Sequence, residues 1–487
     1  MGLEDHLHGL QDRYIEAPQW LRSLAGGSYA MLPRRLRYGE HYARFAAEAA
    51  GQDSAAIAIL AREKLAATLA TAISAVPAYA AYRDLLASLA DPLHCLAALP
   101  LTGKEDIKRA PQAYRSSAPG ARGLRTFTGG STAQPVEFLL ERHVTRVRET
   151  AYFDAFNRDL LGRRDDDVTL GLHGRTVASA ARAGGQLWMY EPIKRQLMFS
   201  SDHLERRFMP EYVKVLRQRR PRQIRAYPSA LLPLAQWLAE TPCEEFSAGV
   251  IGILLTSENI YAPQIDLFRA VFPRARIVKH YGHSERVLMA TSLDAAPEYR
   301  FLPLYGHLEL IDLNGRPIDA PGELGEIVGT SFDNRVMPFV RYRTGDLGVW
   351  GKAGPGEAPV LRSIEGRLQE FVVCRDHRLV SVTTLGAAHF TELALADCIQ
   401  YEQHEPGRVV LRVVTPRPLD AAEIARIERA VLAKTQGGCA ARVQRVDRIE
   451  RTARGKHRML IQHLKLAGFL GASAALMGEP PQAHLAG

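Results

Sequence analysis

The spacing of apolar residues predicts helices through the first part of the chain. Between about residue 45 and residue 70, apolar side chains recur at the intervals of a helix face, and alanine and leucine dominate among scattered arginines. Pro77 interrupts the next periodic segment, because proline lacks the backbone N–H that a helix interior needs. We therefore predict several helices in this region.

The pattern changes after about residue 120, where short apolar runs alternate with longer periodic segments. The short runs are typical of buried strands, and the periodic segments are typical of helices. This alternation favours a mostly parallel sheet that is covered by helices on both faces. The predicted strands are residues 168–172, 249–255 and 275–281, and the predicted helices are residues 204–217 and 263–271.

Antiparallel β-structure is predicted farther along the chain. Residues 307–312 alternate between apolar and polar side chains, and Asn314-Gly315 favours a tight hairpin turn. Residues 326–330 continue the extended pattern. We interpret this stretch as a β-rich subdomain of the large domain.

A compact unit begins at about residue 367. Its helix is predicted to start with a capping box, because Asp420 and Glu423 have the required spacing. The predicted strands of this unit are residues 371–374 and 409–414, and the apolar stripe of its helix comprises Ile424, Ile427 and Val431.

Together these patterns predict the fold class α/β. A large N-terminal domain contains mostly parallel sheets covered by helices plus the β-rich subdomain, and a small α+β domain follows it. The predicted regions are residues 1–100 (helical part of the large domain), 101–366 (core with the β-rich subdomain), 367–465 (small C-terminal domain) and 466–487 (a tail rich in Ala, Gly and Pro).

Composition and charge narrow the classes of protein to consider. With 46% hydrophobic and 24% charged residues, the chain resembles ordinary globular proteins. The net charge is +9, but the densest basic run, residues 217–220, has no interleaved aromatic residues. We interpret the excess as an arginine-rich surface and expect no nucleic-acid partner. The five cysteines lie far apart without a CxxC pair, which excludes the usual zinc and redox spacings.

No segment predicts export or membrane insertion. The N-terminus carries Glu4, Asp5 and His6 and has no long apolar core, so it does not resemble a secretory signal. No apolar run approaches the ~18 residues that a transmembrane helix needs. We expect a cytoplasmic protein without a membrane partner.

A hydroxyl- and glycine-rich loop at residues 128–135 is the first candidate for chemistry. Glycines let backbone N–H groups approach phosphate oxygens, and hydroxyls add neutral donors. A Walker loop is excluded, because no Gly-Lys pair in the chain is followed by Ser or Thr. A nucleophile elbow would need a final glycine, and no obvious apolar strand leads into the loop. From this loop alone, a plain surface turn without a ligand is the alternative interpretation. The donors would be Thr128, Gly129, Gly130, Ser131 and Thr132.

Three further segments follow in order: residues 281–285 (Tyr-Gly-His-Ser-Glu), 342–346 (Tyr-Arg-Thr-Gly-Asp) and 454–456 (Arg-Gly-Lys). The first follows an apolar strand, so Glu285 is expected at a sheet edge that faces ligand. Its carboxylate suits a hard cation. The alternatives are that Glu285 caps a helix, or that nearby histidines bind zinc, although no cysteine or fourth ligand is close. The histidines in question are His280, His283 and His307.

In this order the four segments resemble the adenylate-forming superfamily, which contains acyl-CoA synthetases, peptide-synthetase adenylation domains and firefly luciferase. Within it, the chain is most similar to the phenylacetate–CoA ligase-like branch, which includes capsule-biosynthesis adenylating proteins. The resemblance covers residues 100–465, and residues 33–39 extend it loosely. It implies that the small domain is mobile and that a hinge follows Arg367. The chain departs from the family pattern at Ala133 (a glycine in the family), Val136 (a lysine, commonly absent in this branch) and Gln369 (an acid).

The resemblance also implies roles for individual residues. Glu285 would hold the Mg²⁺ that bridges ATP phosphates, Asp346 would accept both ribose hydroxyls, and Arg367 would contact ribose or phosphate. Lys456 would bridge the carboxylate and the α-phosphate, although a solvated surface lysine is the alternative. The remaining nucleotide contacts would be the donors of the loop together with Ser257, Glu258, Tyr281, Gly282, His283 and Ser284.

The acyl pocket is assigned from the segments at residues 226–231 and 256–258, which resemble pocket-lining segments of the branch. Tyr227 and Ser257 are candidate walls beside Gly282. His173 either meets the carboxylate or is an ordinary loop histidine.

The implied reaction has two stages. Mg-ATP and a small carboxylic acid give an acyl-adenylate and pyrophosphate, and a nucleophile then displaces AMP. Coenzyme A is the acceptor that most of the family uses, whereas amide or ester formation with another acceptor is the alternative. A nucleotide-binding regulatory protein without catalysis is a second class. The sequence leaves the acid, the acceptor and the assembly, a homodimer among the options, open.

Overall fold

The computed structural model describes most of the chain between residues 14 and 466. No helix in the described part is long and apolar enough to cross a membrane. The described residues are 14, 17–50, 54–127, 136–173, 187–200, 203–258, 260, 262–292, 294, 296–312, 315–354, 357–367, 370–385, 393, 396–450, 457–464 and 466.

Helices dominate the N-terminal region, as the apolar spacing predicts. The helical pattern around residues 45–70 falls on two helices, and a 3₁₀ helix starts at the predicted breaker Pro77. The helix predicted over residues 204–217 begins later, because Pro210 occupies its first turn, where proline is favoured. The helices are α1 (Gln19–Met31), α2 (Arg34–Tyr38), α3 (His41–Ala49), α4 (Ser54–Ala75), α5 (Pro92–Ala98), α6 (Lys104–Arg109), α7 (Thr145–Leu161), α8 (Met209–Arg219), α9 (Pro228–Glu240), α10 (Glu244–Ser247), α11 (Ala262–Val271) and α12 (Ala421–Lys434), with 3₁₀ helices at Pro77–Ser88, Arg206–Phe208 and Val382–Leu385.

The strands predicted from apolar runs are all present in the described chain, with ends shifted by a few residues. The strands are β1 (Gly123–Phe127), β2 (Glu137–Glu141), β3 (Thr169–Leu172), β4 (Trp188–Glu191), β5 (Gln196–Phe199), β6 (Gln223–Ala226), β7 (Gly252–Thr256), β8 (Arg276–Gly282), β9 (Met289–Thr291), β10 (Tyr299–Phe301), β11 (Gly306–Ile311), β12 (Pro317–Ile318), β13 (Leu324–Ser331), β14 (Tyr342–Trp350), β15 (Val360–Arg367), β16 (Phe371–Val373), β17 (Leu379–Ser381), β18 (Cys398–Glu405), β19 (Arg408–Val414), β20 (Ala440–Arg445) and β21 (Leu460–Gln462).

One sheet of 13 strands joins the parallel and the antiparallel parts of the large domain. Its parallel half has the order β5-β3-β6-β7-β8, and the β-rich part continues from it through the short strands β9 and β10. The parallel strands are covered by α8, α9 and α11 on one face and by α7 on the other. Burial of both faces explains the largely apolar centres of these strands, as at residues 253–255 of β7.

The hairpin β1–β2 corrects one expectation about the loop at residues 128–135. A strand does lead directly into it, since β1 ends at Phe127, and β2 begins soon after it. Val136, at the position of the family's lysine, is 4% exposed and belongs to an apolar core. The loop itself, including Ala133, lies outside the described residues.

The C-terminal unit forms a separate sheet with the order β20-β19-β18-β21. Helix α12 packs on it and begins with the predicted capping box, in which Asp420 accepts from the Glu423 backbone N–H and Glu423 accepts from that of Asp420. Ile427 and Val431 of the predicted stripe are buried, whereas Ile424 is half-buried. The domain boundaries themselves stay a prediction.

Candidate active site

The carboxyl ends of four neighbouring parallel strands meet at one edge of the sheet. Strands β3, β6, β7 and β8 are followed there by His173, Tyr227, Ser257 and His283. Next to this edge lies a cleft with a volume of about 320 Å³. Ligands of open α/β sheets bind at such edges. The predicted residues that line the cleft are Tyr227, Ser257, Glu258, Tyr281, Gly282, His283, Ser284, Glu285 and Asp346.

Tyr281, His283 and Asp346 form one hydrogen-bonded group in the cleft. The Tyr281 hydroxyl donates to Asp346 Oδ2 at 2.8 Å, and His283 Nε2 lies 2.7 Å from that hydroxyl and 3.3 Å from the same carboxylate oxygen. Because the tyrosine donates its proton to the acid, its oxygen is left to accept from the imidazole. The three side chains hold a buried carboxylate at the cleft surface, where it can accept hydroxyl groups.

Glu285 is the second buried carboxylate of the cleft. It is 8% exposed, and the Tyr342 hydroxyl donates to its Oε1 at 3.0 Å. Residues 283–286 form a turn between β8 and β9, so Glu285 does not cap a helix. The hydroxyl fixes the carboxylate and leaves it acceptor capacity for a cation.

Arg148 on α7 fixes the position of this turn. Its side chain is fully buried, and its Nη2 donates to the carbonyl of Arg286 at 2.9 Å. Arg286 has a left-handed backbone, with φ at 55°. The same guanidinium donates to the carbonyls of Tyr305, at 3.0 Å, and Phe332. The turn that carries Glu285 is therefore tied to the helix covering the sheet.

Glu258 connects the edge of the sheet to the C-terminal unit. It accepts from the Ser229 backbone N–H at 3.0 Å and from the Ser229 hydroxyl at 2.9 Å. The backbone N–H of His457 lies 3.4 Å from its Oε1. Ser257, with φ at 69°, turns the chain there. Lys456, which precedes His457, lies outside the described residues.

Arg367 is placed by strand register. It is the cross-strand partner of Asp346, where β14 and β15 pair. Gly366, with φ at 98°, and Glu370 line the cleft. The Arg367 side chain and Gln369 fall outside the described part of the chain.

His173 has a different neighbour from the one expected of a carboxylate-binding residue. The side-chain amide of Gln196 donates to its Nε2 at 3.0 Å. His173 is not among the described residues that line the cleft.

The zinc alternative finds no support within the described ranges. The histidines at positions 280, 283 and 307 do not converge with a further ligand, and the group with metal-ligand proximity comprises Glu402, His404 and His463. None of these three lines the cleft. Burial, with smaller contributions from Arg225 and His283, lowers the pKa of His280 to about 3.

Sequence reasoning missed the side of the cleft that faces α7. A charged residue inside the otherwise buried strand β6, Arg225, was the available signal. The helix α7 gave none, because its sequence does not show which side faces the cleft. The missed residues include Glu149, Phe153, Arg225, Tyr299 and Tyr305, with His280 assigned only to the zinc alternative.

The chain is similar in sequence to a curated protein. The protein CapK of Staphylococcus aureus is 22% identical over 380 residues, which cover 75% of this chain and 80% of CapK. No family model matches the chain.

Solved structures give a broader likeness. A 2-hydroxyisobutyryl-CoA ligase in the postadenylation state, in complex with 2-HIB-AMP, has a TM-score of 0.60 at 16% identity, covering 85% of this chain and 91% of the ligase. The same ligase with 2-HIB-AMP and CoA in the thioesterification state has a TM-score of 0.50 at 17% identity, covering 84% and 90%. These likenesses confirm the predicted α/β fold as the fold of such a ligase.

Proposed function

We propose that this chain, which has the fold of the adenylate-forming ligases, activates a carboxylic acid with ATP and releases pyrophosphate. The observation that carries the proposal is the pair of buried carboxylates in one cleft. Asp346 is held by Tyr281 and His283, and Glu285 is held by Tyr342. One suits ribose hydroxyls, and the other suits a hard cation.

Glu285 is the residue that would hold Mg²⁺. Its donor set fits, because a carboxylate oxygen with one hydroxyl partner keeps acceptor capacity, and Mg²⁺ takes few protein ligands besides phosphates and water. When bound, Mg²⁺ neutralises charge on the phosphates. Tyr342 orients the carboxylate, and Arg148 fixes the turn that carries it through the Arg286 carbonyl.

Lys456 is proposed as the cation that bridges the reacting carboxylate and the α-phosphate as negative charge develops. The contact between the His457 N–H and Glu258 supports this role, because His457 directly follows Lys456 in the sequence and Glu258 lines the cleft. The loop at residues 128–132 is proposed to bind the phosphates, and Arg367 the ribose or phosphate.

For the second stage we propose coenzyme A as the acceptor. The support is the likeness in fold to a ligase that was solved with CoA. The assignment to the phenylacetate–CoA ligase-like branch, which includes capsule-biosynthesis adenylating proteins, is supported by the sequence likeness to CapK and agrees with Val136 at the position of the family's lysine. Transfer to an amine or alcohol remains the competing second stage.

The test is ATP–pyrophosphate exchange with pools of aromatic, fatty and amino acids. We expect exchange with one pool, and loss of exchange with retained ATP binding in Lys456→Ala. Lys352→Ala is the matched control, since this exposed lysine also follows a glycine but does not line the cleft. Wild-type exchange in Lys456→Ala would contradict its role. ATP binding without exchange in any pool would contradict the proposed activity.

A further inference from the structure

The side of the cleft next to α7 carries a cation that no described carboxylate neutralises. We call this side the α7 wall and define it by its members, Glu149, Phe153, Arg225, His280 and Tyr305. All of them line the cleft. Arg225 comes from β6, where its register neighbour on β7 is Leu254. Its Nε is buried without a hydrogen-bond partner among the described residues.

Such a cation is costly unless something binds it. Burial lowers the pKa of Arg225, and the nearby charge of Glu149 opposes this effect only in part. The guanidinium lies 4.8 Å from the centre of the Phe153 ring, and this cation–π contact offsets part of the free-energy cost of lost hydration. A half-buried charge without an ionic partner still lowers the stability of a fold. The neighbouring residues in this row of the sheet, Leu254 and Val278, are apolar, so an apolar side chain would fit the position.

Glu149 cannot serve as a full counter-ion, because other groups already engage it. The Tyr305 hydroxyl donates to its Oε2, and Arg286 Nε lies 3.5 Å from the same oxygen. Arg286 Nη1 is itself buried without a partner in the described chain. Arg225 and Arg286 therefore share one nearby carboxylate, that of Glu149, which also accepts from Tyr305.

His280 adds a neutral polar group to the α7 wall. Its ring lies between Phe153 and Phe156, with centroids 4.7 and 5.9 Å away, and its Nε2 is buried without a described partner. A side chain on Gly282 would begin 2.9 Å from its Cε1, so the imidazole lies directly against the glycine of the cleft. A ligand next to Gly282 would meet this nitrogen.

We propose that the acid activated here carries, besides its reacting carboxylate, a second anionic group that Arg225 binds. This inference rests on the proposed function. A planar guanidinium pairs with an oxyanion through two parallel hydrogen bonds, and carboxylate, sulfonate and phosphate groups share that chemistry. The aromatic members of the α7 wall, Phe153 and Tyr305, flank the carbon skeleton between the two acidic groups.

The experiment compares pyrophosphate exchange for pairs of acids with one carbon skeleton: butyrate with succinate, 4-methylbenzoate with terephthalate, and benzoate with 4-sulfobenzoate. We expect the wild type to prefer the dianionic member of a pair. Arg225→Met should lower kcat/KM for that acid by about 30-fold or more, since truncating one partner of a buried charge pair costs at least this much. The monoanionic acids should be unaffected, and Arg225→Lys should recover part of the loss. Arg222→Met is the control, because this arginine precedes the same strand but pairs with Asp167.

A binding measurement separates this inference from the proposed function. Dianionic acids should raise the Tm of the wild type and not that of Arg225→Met, while the free variant should be no less stable than the wild type. That shift would support the inference even without exchange. Equal losses for both members of each pair would overturn it, since Arg225 would then hold the reacting carboxylate. Exchange with a preference for monoanionic acids would overturn it and leave adenylation intact, whereas neither exchange nor a Tm shift would overturn both.

Discussion

At the scale of single residues, the surroundings of three buried or half-buried cations distinguish structural support from binding. Arg148 has three backbone carbonyls as acceptors and lies 3.7 Å from Asp333. Arg225 lies over the aromatic ring of Phe153, and its Nε has no acceptor among the described residues. Lys279 is intermediate, because its amine donates to the Pro297 carbonyl at 3.2 Å and lies 4.5 Å from the Tyr299 ring centre. Arg148 therefore supports the turn that carries Glu285, and Arg225 is available to a ligand.

Lys279 gives a prediction about pH. Burial lowers its pKa from 10.5 to about 8, so folding must bury a charge below pH 8. Between pH 8 and 10.5 the unfolded chain binds more protons than the folded one, and this group therefore makes stability rise with pH. Lys279→Met should raise the free energy of unfolding at pH 7 by about 1–2 kcal/mol after solvent screening is allowed for.

Urea unfolding at pH 7 and at pH 10 measures this effect. The gain in Lys279→Met should shrink toward the higher pH, whereas Lys214→Met, on the exposed side of α8, should show no such trend. A gain independent of pH would mean that packing, and not the buried charge, explains the variant.

At the scale of elements, two glycines of the antiparallel strands lie in close contact with the segment that follows Glu285. A Cβ on Gly306 would lie 2.1 Å from the Val287 carbonyl oxygen, and one on Gly329 would lie 2.6 Å from a Val287 methyl group. Strands β11 and β13 can therefore approach the turn only where they have no side chain. This close approach positions the metal-binding candidate.

Gly306→Ala should consequently destabilise the protein by roughly 2–3 kcal/mol, as overpacked sites do, and should also reduce pyrophosphate exchange because the turn must shift. Thermal unfolding and the exchange assay measure the two effects. Gly27→Ala in α1 is the control, since its Cβ would meet nothing within 4 Å, and a helical alanine is favoured over glycine. Equal stability of the two variants would show that the backbone at Gly306 has room.

The sequence predicted those elements whose pattern is continuous. A buried parallel strand such as β7 is almost entirely apolar, and the capping residues of α12 follow a local rule. The union of the two halves in one sheet was not predictable, because β9 and β10 have three residues each and show no period. In the same way motifs led to Asp346 and Glu285, whereas Arg225 required knowledge of which face α7 covers.

At the scale of the whole molecule, the small domain is tied together close to the predicted hinge. The Gln462 side chain donates to the Phe371 carbonyl and to Gln403 Oε1, both at 2.8 Å. Gln403, fully buried, also bonds both backbone groups of Val373. The strand after His457 is thus joined to the first strand after Arg367.

Gln462→Met should lower the stability of the small domain by about 1–3 kcal/mol, because it removes the side-chain donor to the Phe371 carbonyl and the acceptor of the Leu464 N–H. It should also slow acyl transfer to CoA more than adenylation, if the predicted hinge turns between the two stages. Calorimetry, and exchange compared with thioester formation, measure these effects, and exposed Gln444→Met on β20 is the control. Equal slowing of both stages would argue against a coupled rotation.

The hydrogen bond from the Gln462 side chain to the Phe371 carbonyl has a consequence for motion, because it makes the first and last strands of the small domain move as one body. Strand β21, which follows residue 456 in the sequence, is held to β16 by the Gln462 side chain and to β18 by Gln403 and by parallel pairing, and β16 begins a few residues after the predicted hinge. We therefore expect a rotation at the predicted hinge to carry β21 along with β16. Substitutions at the predicted hinge alone could then change the relative rates of the two stages, while the sheet of the small domain and Lys456 stay the same.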